Sequence, residues 1–298
     1  MVMQIQKSFE PQANGTGTLY LVATPIGNLE DMTYRAVRTL RECELIAAED
    51  TRQTRKLLTH FEIVPQKLFS YHEHNKGASG PELIRYIIEG KNLAIVSDAG
   101  LPAISDPGAD LARLAIEAGI PVVPVPGANA ALSALIVSGL PTERFTFAGF
   151  LPRENKDRRA ALDSLSRLDG TLLFYESPHR IAKTLEAMLQ AWGPRKAALA
   201  RELTKRHEEI ARGTLAELLE LLEERPPIGE YCIAVEGESA EQAQERKDAW
   251  WQELTLQEHV GHYEERESLA RKEAMKKAAS DRGLSKRDIY NALLNEEN

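Results

Sequence analysis

Two carboxylates, two glycines and two prolines fall within residues 97–108, SDAGLPAISDPG. The run follows an apolar stretch, NLAIVS, and so reads as a loop at the carboxyl end of a strand. Open α/β sheets bind ligands there. Gly100 opens backbone geometry closed to other residues, and Pro102 and Pro107 stiffen the surroundings. Such a loop offers fixed amides and carbonyls to a polar ligand. Asp98 reads as a ligand contact. Asp106 reads either as a second ligand carboxylate, as for Mg²⁺, or as a cap on the helix that begins near Gly108.

Other motifs occupy equivalent positions. TPIGNL (24–29) follows an apolar run and makes a stiff turn through Pro25 and Gly27. In PGAN (126–129), Gly127 and Ala128 permit close approach at a helix N-terminus, whose free amides favour polar or anionic groups. AEDTR places Glu49, Asp50 and Arg52 after a strand; Asp50 is either a helix cap or part of a proton-accepting, substrate-positioning cluster. FYESPHR supplies Tyr175, Glu176 and His179, and ARELTKRHEE supplies Arg201, Glu202, Lys205 and Arg206. Their shared position at strand ends points to one cleft. No strand-linked GxGxxG and no GxxxxGKS occurs, which argues against an ordinary dinucleotide enzyme and a P-loop NTPase. His72 and His74 lack a third ligand, and Cys43 and Cys232 lie far apart in apolar segments. We therefore expect no metal site and no disulfide.

Strand-like runs at 18–23, 45–48, 67–71, 92–97 and 121–125 alternate with helical patterns at 35–42, up to about 61, 109–118 and 128–138. Short apolar strands alternating with helices predict a mostly parallel α/β sheet. The Gly/Pro interruption after Ser138 marks a boundary. Strands at 145–150, 171–176, 197–202 and 231–237, with helices at 156–168, 179–191 and 215–223, predict a second α/β lobe. Residues 1–16 read as a flexible polar arm, 17–137 and 138–237 as the two lobes, and 238–298 as a charged linker and a helical segment. In that segment Gly283 ends one helix and Ser285 caps the next, as in a helix-turn-helix. His259 and His262 read as surface residues of a helix.

The 298 residues suffice for two lobes with separate cores. No run approaches the ~20 apolar residues of a membrane span, and the N-terminus lacks the core of a signal peptide, so a cytoplasmic protein without a membrane partner is expected. The net charge of −8 argues against a uniformly nucleic-acid-binding surface. A local cationic patch is still compatible with RNA.

In order along the chain, TPIGNL, AEDTR, SDAGLPAISDPG, PVPGANAALSAL, GFLP with its basic run, FYESPHR, ARELTK and GEYCIAVEG resemble the uroporphyrin-III C/tetrapyrrole methylase superfamily. They are most similar to its branch that methylates small-subunit ribosomal RNA. The resemblance covers residues 17–237. It implies the two-lobed α/β tetrapyrrole-methylase fold with S-adenosylmethionine in the cleft between lobes, followed by the helical segment. It also implies a homodimer that acts on the 30S subunit, 2′-O-methylating a cytidine of the decoding region. Carried over by motif, the cofactor contacts are Pro25, Asp98, Ala99, Gly100, Ile104, Ser105, Pro126, Gly127, Ala128, Tyr175, Leu203 and the last strand near Ile233. The family's commonest form has Thr where this chain has Leu101, so a hydroxyl contact would be lost there and a backbone contact kept. Catalytic candidates are Glu49, Asp50, Arg52 and Glu176, with the proton acceptor open among the three carboxylates. RNA contacts are expected from Arg153, Lys156, Arg158 and Arg159, from Lys205 and Arg206, and from Lys286 and Arg287 in the tail. A small tetrapyrrole as substrate is the rival reading. A non-catalytic ribosome-binding protein is another, against which the intact glycines and prolines of the loops speak.

Overall fold

The computed structural model describes residues 5–8, 15–248, 251–252 and 254–296. Contacts divide the chain into one unit up to Gly237 and a second from Glu238 onward.

The first unit opens with five short parallel strands: β1 (Leu19–Val22), β2 (Leu45–Ala48), β3 (Lys67–Ser70), β4 (Leu93–Val96) and β5 (Val122–Val125). Helices α1 (Tyr34–Glu42), α2 (Thr51–His60), α3 (Lys76–Ile88) and α4 (Gly108–Glu117) connect them. Strand order is β3-β2-β4-β1-β5. Right-handed crossovers then dictate which face each helix covers. The chain moves one way across the sheet through α1 and α2, and their Ala36, Leu40 and Leu58 pack on one face. It moves the other way through α3 and α4, and Leu83, Ile87, Leu111 and Ala115 pack on the opposite face. The connections that leave the adjacent strands β1 and β4 therefore diverge. A crevice opens at their carboxyl ends, the switch point where such sheets bind ligands.

Helix α5 (Ala130–Ser138), AALSALIVS, follows β5. Its Ala131 and Leu135 pack not on this sheet but on Leu173, Ala198 and Ala234 of the second one. That sheet contains β6 (Phe145–Gly149), β7 (Thr171–Glu176), β8 (Lys196–Arg201), β9 (Glu209–Thr214) and β10 (Tyr231–Val235). Its order is β6-β7-β10-β8-β9, with only β6 and β7 parallel. Helices α6 (Asn155–Leu165), α7 (Ile181–Trp192) and α8 (Leu215–Glu224) cover the face away from α5, over Leu172, Phe174, Leu199 and Ile233. The α5 face carries Ala198, Ala200, Cys232 and Ala234, small side chains that let the helix come close.

The second unit holds α9 (Ala240–Asp248), α10 (Leu256–Arg266), α11 (Arg271–Asp281) and α12 (Lys286–Glu296). Val260, Tyr263, Met275, Ala278, Ile289 and Leu293 form its core. Ser285 accepts a hydrogen bond from the Asp288 amide at the start of α12, the expected cap. His259 departs from its expected place on a helix surface: it is 0% exposed and stacked 5.4 Å from Trp251. Arg282 Nε donates to its Nδ1 (3.1 Å), so Nε2 carries the proton and faces Asp281 at 3.2 Å. Burial lowers the imidazole's pKa, with Arg282 adding to the effect. His262 is half-buried. At the other end of the chain, Gln6 exchanges two side-chain hydrogen bonds with the backbone of Val122 (2.9 and 3.0 Å), which ties part of the polar arm to the edge strand β5. The remaining arm residues 1–4 and 9–14 lie outside the described residues.

Candidate active site

The loops after β1 and β4 lock to each other across the crevice. The Thr24 and Gly100 amides and carbonyls pair reciprocally at 2.9 and 3.1 Å, and Thr24 Oγ1 donates to Ser97 O at 3.3 Å. Gly100 holds φ +78°, and a Cβ there would stand 3.3 Å from Ile26 Cγ2. Ala103 and Ser105 also hold positive φ (70° and 62°), a geometry that costs L-residues about 1–2 kcal/mol each. Asp106 offsets that strain: its Oδ1 accepts from the amides of Ala103 (2.9 Å) and Gly108 (2.7 Å) and so ties the loop to the first turn of α4. Its other oxygen, Oδ2, is buried without a partner.

A cavity of about 520 Å³ opens from this crevice towards the second sheet. That is ample for a drug-sized ligand. From the first loops come Ile26, Glu49, Asp98, Ala99, Gly100, Leu101, Ile104, Ser105 and Asp106. The second sheet contributes Phe150, Tyr175, Glu176, Leu203 and Cys232 among others. Of the expected cofactor contacts, Asp98, Ala99, Gly100, Ile104, Ser105, Tyr175 and Leu203 are thus brought together.

Others lie beside the cavity without lining it. Ile26 takes the place expected of Pro25, and Asn129 and Ala130 that of Pro126, Gly127 and Ala128. Gly127 serves packing instead: a Cβ there would press to 2.8 Å from Ala23 Cβ. Ile233 is a correction. Its side chain points into the core beneath α7 and α8, because side chains alternate along β10 and its neighbour Cys232 faces the cavity. Sequence reading also missed Phe150 and Asn129, although both sit inside motifs already singled out, GFLP and PGAN.

The carboxylates separate by what occupies them. Asp50 caps α2, accepting from the Arg52 amide at 2.8 Å, and its two oxygens also take Arg52 Nε and Nη2. Those Arg52 bonds, side chain and amide, hold its carboxyl down at about 2. Asp50 and Arg52 do not line the cavity. Glu176, 3% exposed, binds the Ser177 amide, the Thr184 hydroxyl (2.7 Å) and Arg180 (3.3 Å). Asp98 accepts from the Asp50 amide at 2.9 Å. Glu49 is half-buried in the cavity wall and has no hydrogen bond or ion pair among the described residues. Burial raises its pKa, and the nearby Asp98 and Asp106 raise it further. The thiol of Cys232 is likewise pushed up by burial, to about 12, and is inert as a nucleophile.

The expected RNA contacts also divide. Arg153, Lys156 and Arg159 are exposed, whereas Arg158 turns back onto Asn155 Oδ1 (2.6 Å) and Arg153 O (3.3 Å). Lys205 lines the cavity and is held by Glu202 and Glu230, both at 2.9 Å. Arg206 and Arg287 are exposed; the Lys286 side chain lies outside the described set. Among the described residues, no group of three His, Cys, Asp or Glu stands ready to hold a metal ion, and no helix is long and apolar enough to cross a membrane.

The fold and the switch-point cavity define a class, and comparison with known proteins gives it a name. The sequence profile of the Tetrapyrrole (Corrin/Porphyrin) Methylases matches residues 18–219. The chain belongs to the tetrapyrrole methylase family. It is 55% identical to Ribosomal RNA small subunit methyltransferase I of Halalkalibacterium halodurans, covering 97% of this chain and 98% of that one. It is 50% identical to the protein of the same description from Bacillus subtilis, with 98% of each covered. Among solved structures, uroporphyrin-III-C-methyltransferase from Thermus thermophilus matches with a TM-score of 0.53 and 24% identity, over 77% of this chain and 98% of that one. A diphthine synthase matches with a TM-score of 0.58 and 14% identity, over 75% and 91%. These two likenesses carry the fold.

Proposed function

We propose that this protein transfers a methyl group from S-adenosylmethionine to the ribose 2′-hydroxyl of a cytidine in small-subunit ribosomal RNA. The observation that carries the reading is identity of 50–55% to small-subunit rRNA methyltransferases across 97–98% of this chain, tail included. The tetrapyrrole-methylating neighbour covers only 77%, and a small tetrapyrrole gives no use for a separate helical unit.

The cavity suits the cofactor. S-adenosylmethionine supplies an electrophilic methyl on a positively charged sulfonium. Glu49, Asp98, Asp106, Glu202 and Glu230 make the lining acidic, and the orphaned Asp106 Oδ2 is an acceptor without a donor. The locked Thr24–Gly100 loops fix backbone groups before any ligand arrives. Holding a hydroxyl in line with the methyl can supply about 7–11 kcal/mol of the barrier. Glu49 then takes the hydroxyl proton, since Asp50 and Glu176 are already spent on structure. We assign RNA contact to Arg153, Lys156 and Arg159 and to the unit after Gly237. We further propose a cytoplasmic homodimer. Helix α5 is apolar all round, a composition suited to burial, yet Ile136 is 75% and Leu132 45% exposed on its outer side.

The test is methyl transfer from labelled S-adenosylmethionine to purified small subunits, with mapping of the modified nucleotide. A label on a cytidine ribose is the expected result. Label on a tetrapyrrole, or on no RNA, overturns the reading.

A further inference from the structure

We propose that Phe150 is the platform on which the target nucleobase stacks when its nucleotide leaves the RNA helix to reach the cavity. The inference rests on the rRNA reading above and adds the residue that receives the base.

The ring is in an unusual position for an apolar side chain. Phe150 lines the cavity yet is 55% exposed. It is not exposed through looseness. On one side Gly149 takes φ +66°, a conformation L side chains rarely adopt, and a Cβ there would stand 3.3 Å from Ser105 Oγ. On the other side Leu151 is buried, and its carbonyl accepts from Arg180 Nη2 at 2.7 Å. Arg180 is itself fixed by buried Glu176 at 3.3 Å. The backbone of the turn is held on both sides, which fixes where the Phe150 side chain leaves the chain beside the cavity. Its one aromatic neighbour among the described residues, Tyr175, meets it at 62° with centroids 5.7 Å apart, an edge contact that leaves ring surface open.

A rigid, open aromatic ring is the usual receptor for an unstacked base, because every base has a π-face. The surroundings match the rest of a nucleotide. Glu49, which would meet a ribose hydroxyl, lines the same cavity. Exposed Arg153, Lys156 and Arg159, which would meet flanking phosphates, follow the ring directly and make no ion pair among the described residues. In this segment four cations stand against Glu154 and Asp157, within a molecule of net charge −8. A nucleotide whose ribose is to enter a cavity of about 520 Å³ has to leave its stack, and the freed base then needs a surface to hold it.

The experiment compares Phe150→Ala, Phe150→Leu and Phe150→Trp with the wild-type chain. Calorimetry gives affinity for S-adenosylmethionine, steady-state methyl transfer gives KM and kcat on purified small subunits, and urea unfolding reports the fold. Stacking predicts a KM raised about tenfold or more in the Ala and Leu variants. It also predicts near-wild-type KM in the Trp variant and unchanged cofactor affinity in all three. Cofactor affinity falling in step with KM would show that the ring covers the cofactor and overturn the proposal. Wild-type KM in Phe150→Leu would reduce the contact to greasy packing and overturn it equally. A wild-type protein that methylates no small subunit takes down the functional reading and this inference with it. An active wild type with an unaffected Ala variant removes this inference alone.

Discussion

Among the carboxylates near the cavity, those that serve the architecture separate from Glu49, the one proposed as the base. Asp50 and Glu176 are saturated with donors, and Asp106 braces a strained loop. Glu49 has a raised pKa, from burial first and then from Asp98 and Asp106, with His72 pulling the other way and Asp50 adding a little. A base must be ionised to accept a proton, so kcat/KM should fall on the acid side at a pH above the ordinary Glu value of about 4.3. Glu49→Gln should remove that acid limb and lower kcat about 100-fold or more, with cofactor affinity nearly unchanged. The stability effect has the opposite sign. Because the folded pKa lies above the unfolded one, ionised Glu49 opposes folding at neutral and higher pH. The Gln variant should therefore be at least as stable as wild type at pH 8. That advantage should fade as pH falls through the raised pKa. Calorimetry, a pH–rate profile and urea unfolding at two pH values check these outcomes. Wild-type turnover in Glu49→Gln would return the proton to solvent.

At the scale of elements, the site depends on how closely the loops after β1 and β5 approach. Gly127→Ala would drive a methyl to 2.8 Å from Ala23 Cβ, between two backbone segments that both leave a sheet. Overpacking of this kind costs about 1–3 kcal/mol. Because Ile26 and Asn129 stand on those same segments, S-adenosylmethionine affinity should fall as well. Urea unfolding with calorimetry measures both, and an unchanged affinity would show that the cavity tolerates a shift of these loops. The strands bordering the cavity were legible in the sequence because parallel strands buried on both faces read as unbroken apolar runs, as LAIV and LIAA do. Helix α3 was not, since KGASGPELIRYII carries two glycines and an internal Pro81 that read as loop. Strand β9, EIARGT, is equally hidden, being polar and half-exposed along an edge. Ile233 shows a different limit. A motif locates the strand, but the fully apolar YCIAV has no alternation to say which residues face the ligand.

At the scale of the whole molecule, the cavity is lined entirely by residues before Gly237, and the unit after it has a core of its own. Cofactor binding and RNA binding should therefore be separable. The second unit presents Lys272, Lys276 and Arg287 at its surface in a chain whose overall charge of −8 repels phosphate. Local cations of this sort contribute to RNA affinity by releasing counterions. Deleting residues 238–298 should leave S-adenosylmethionine affinity within about twofold, while weakening binding to small subunits. The salt dependence should flatten by a slope of roughly 0.7–0.9 for each phosphate contact removed. Titration of the truncated and full-length proteins with small subunits at several salt concentrations measures both effects. An unchanged slope would leave RNA recognition to Phe150 and the cations that follow it, and would make the second unit a contact for something other than phosphate. A loss of cofactor affinity on deletion would be the more disruptive result, because it would mean that the locked loops of the crevice depend on a unit that contributes none of their residues.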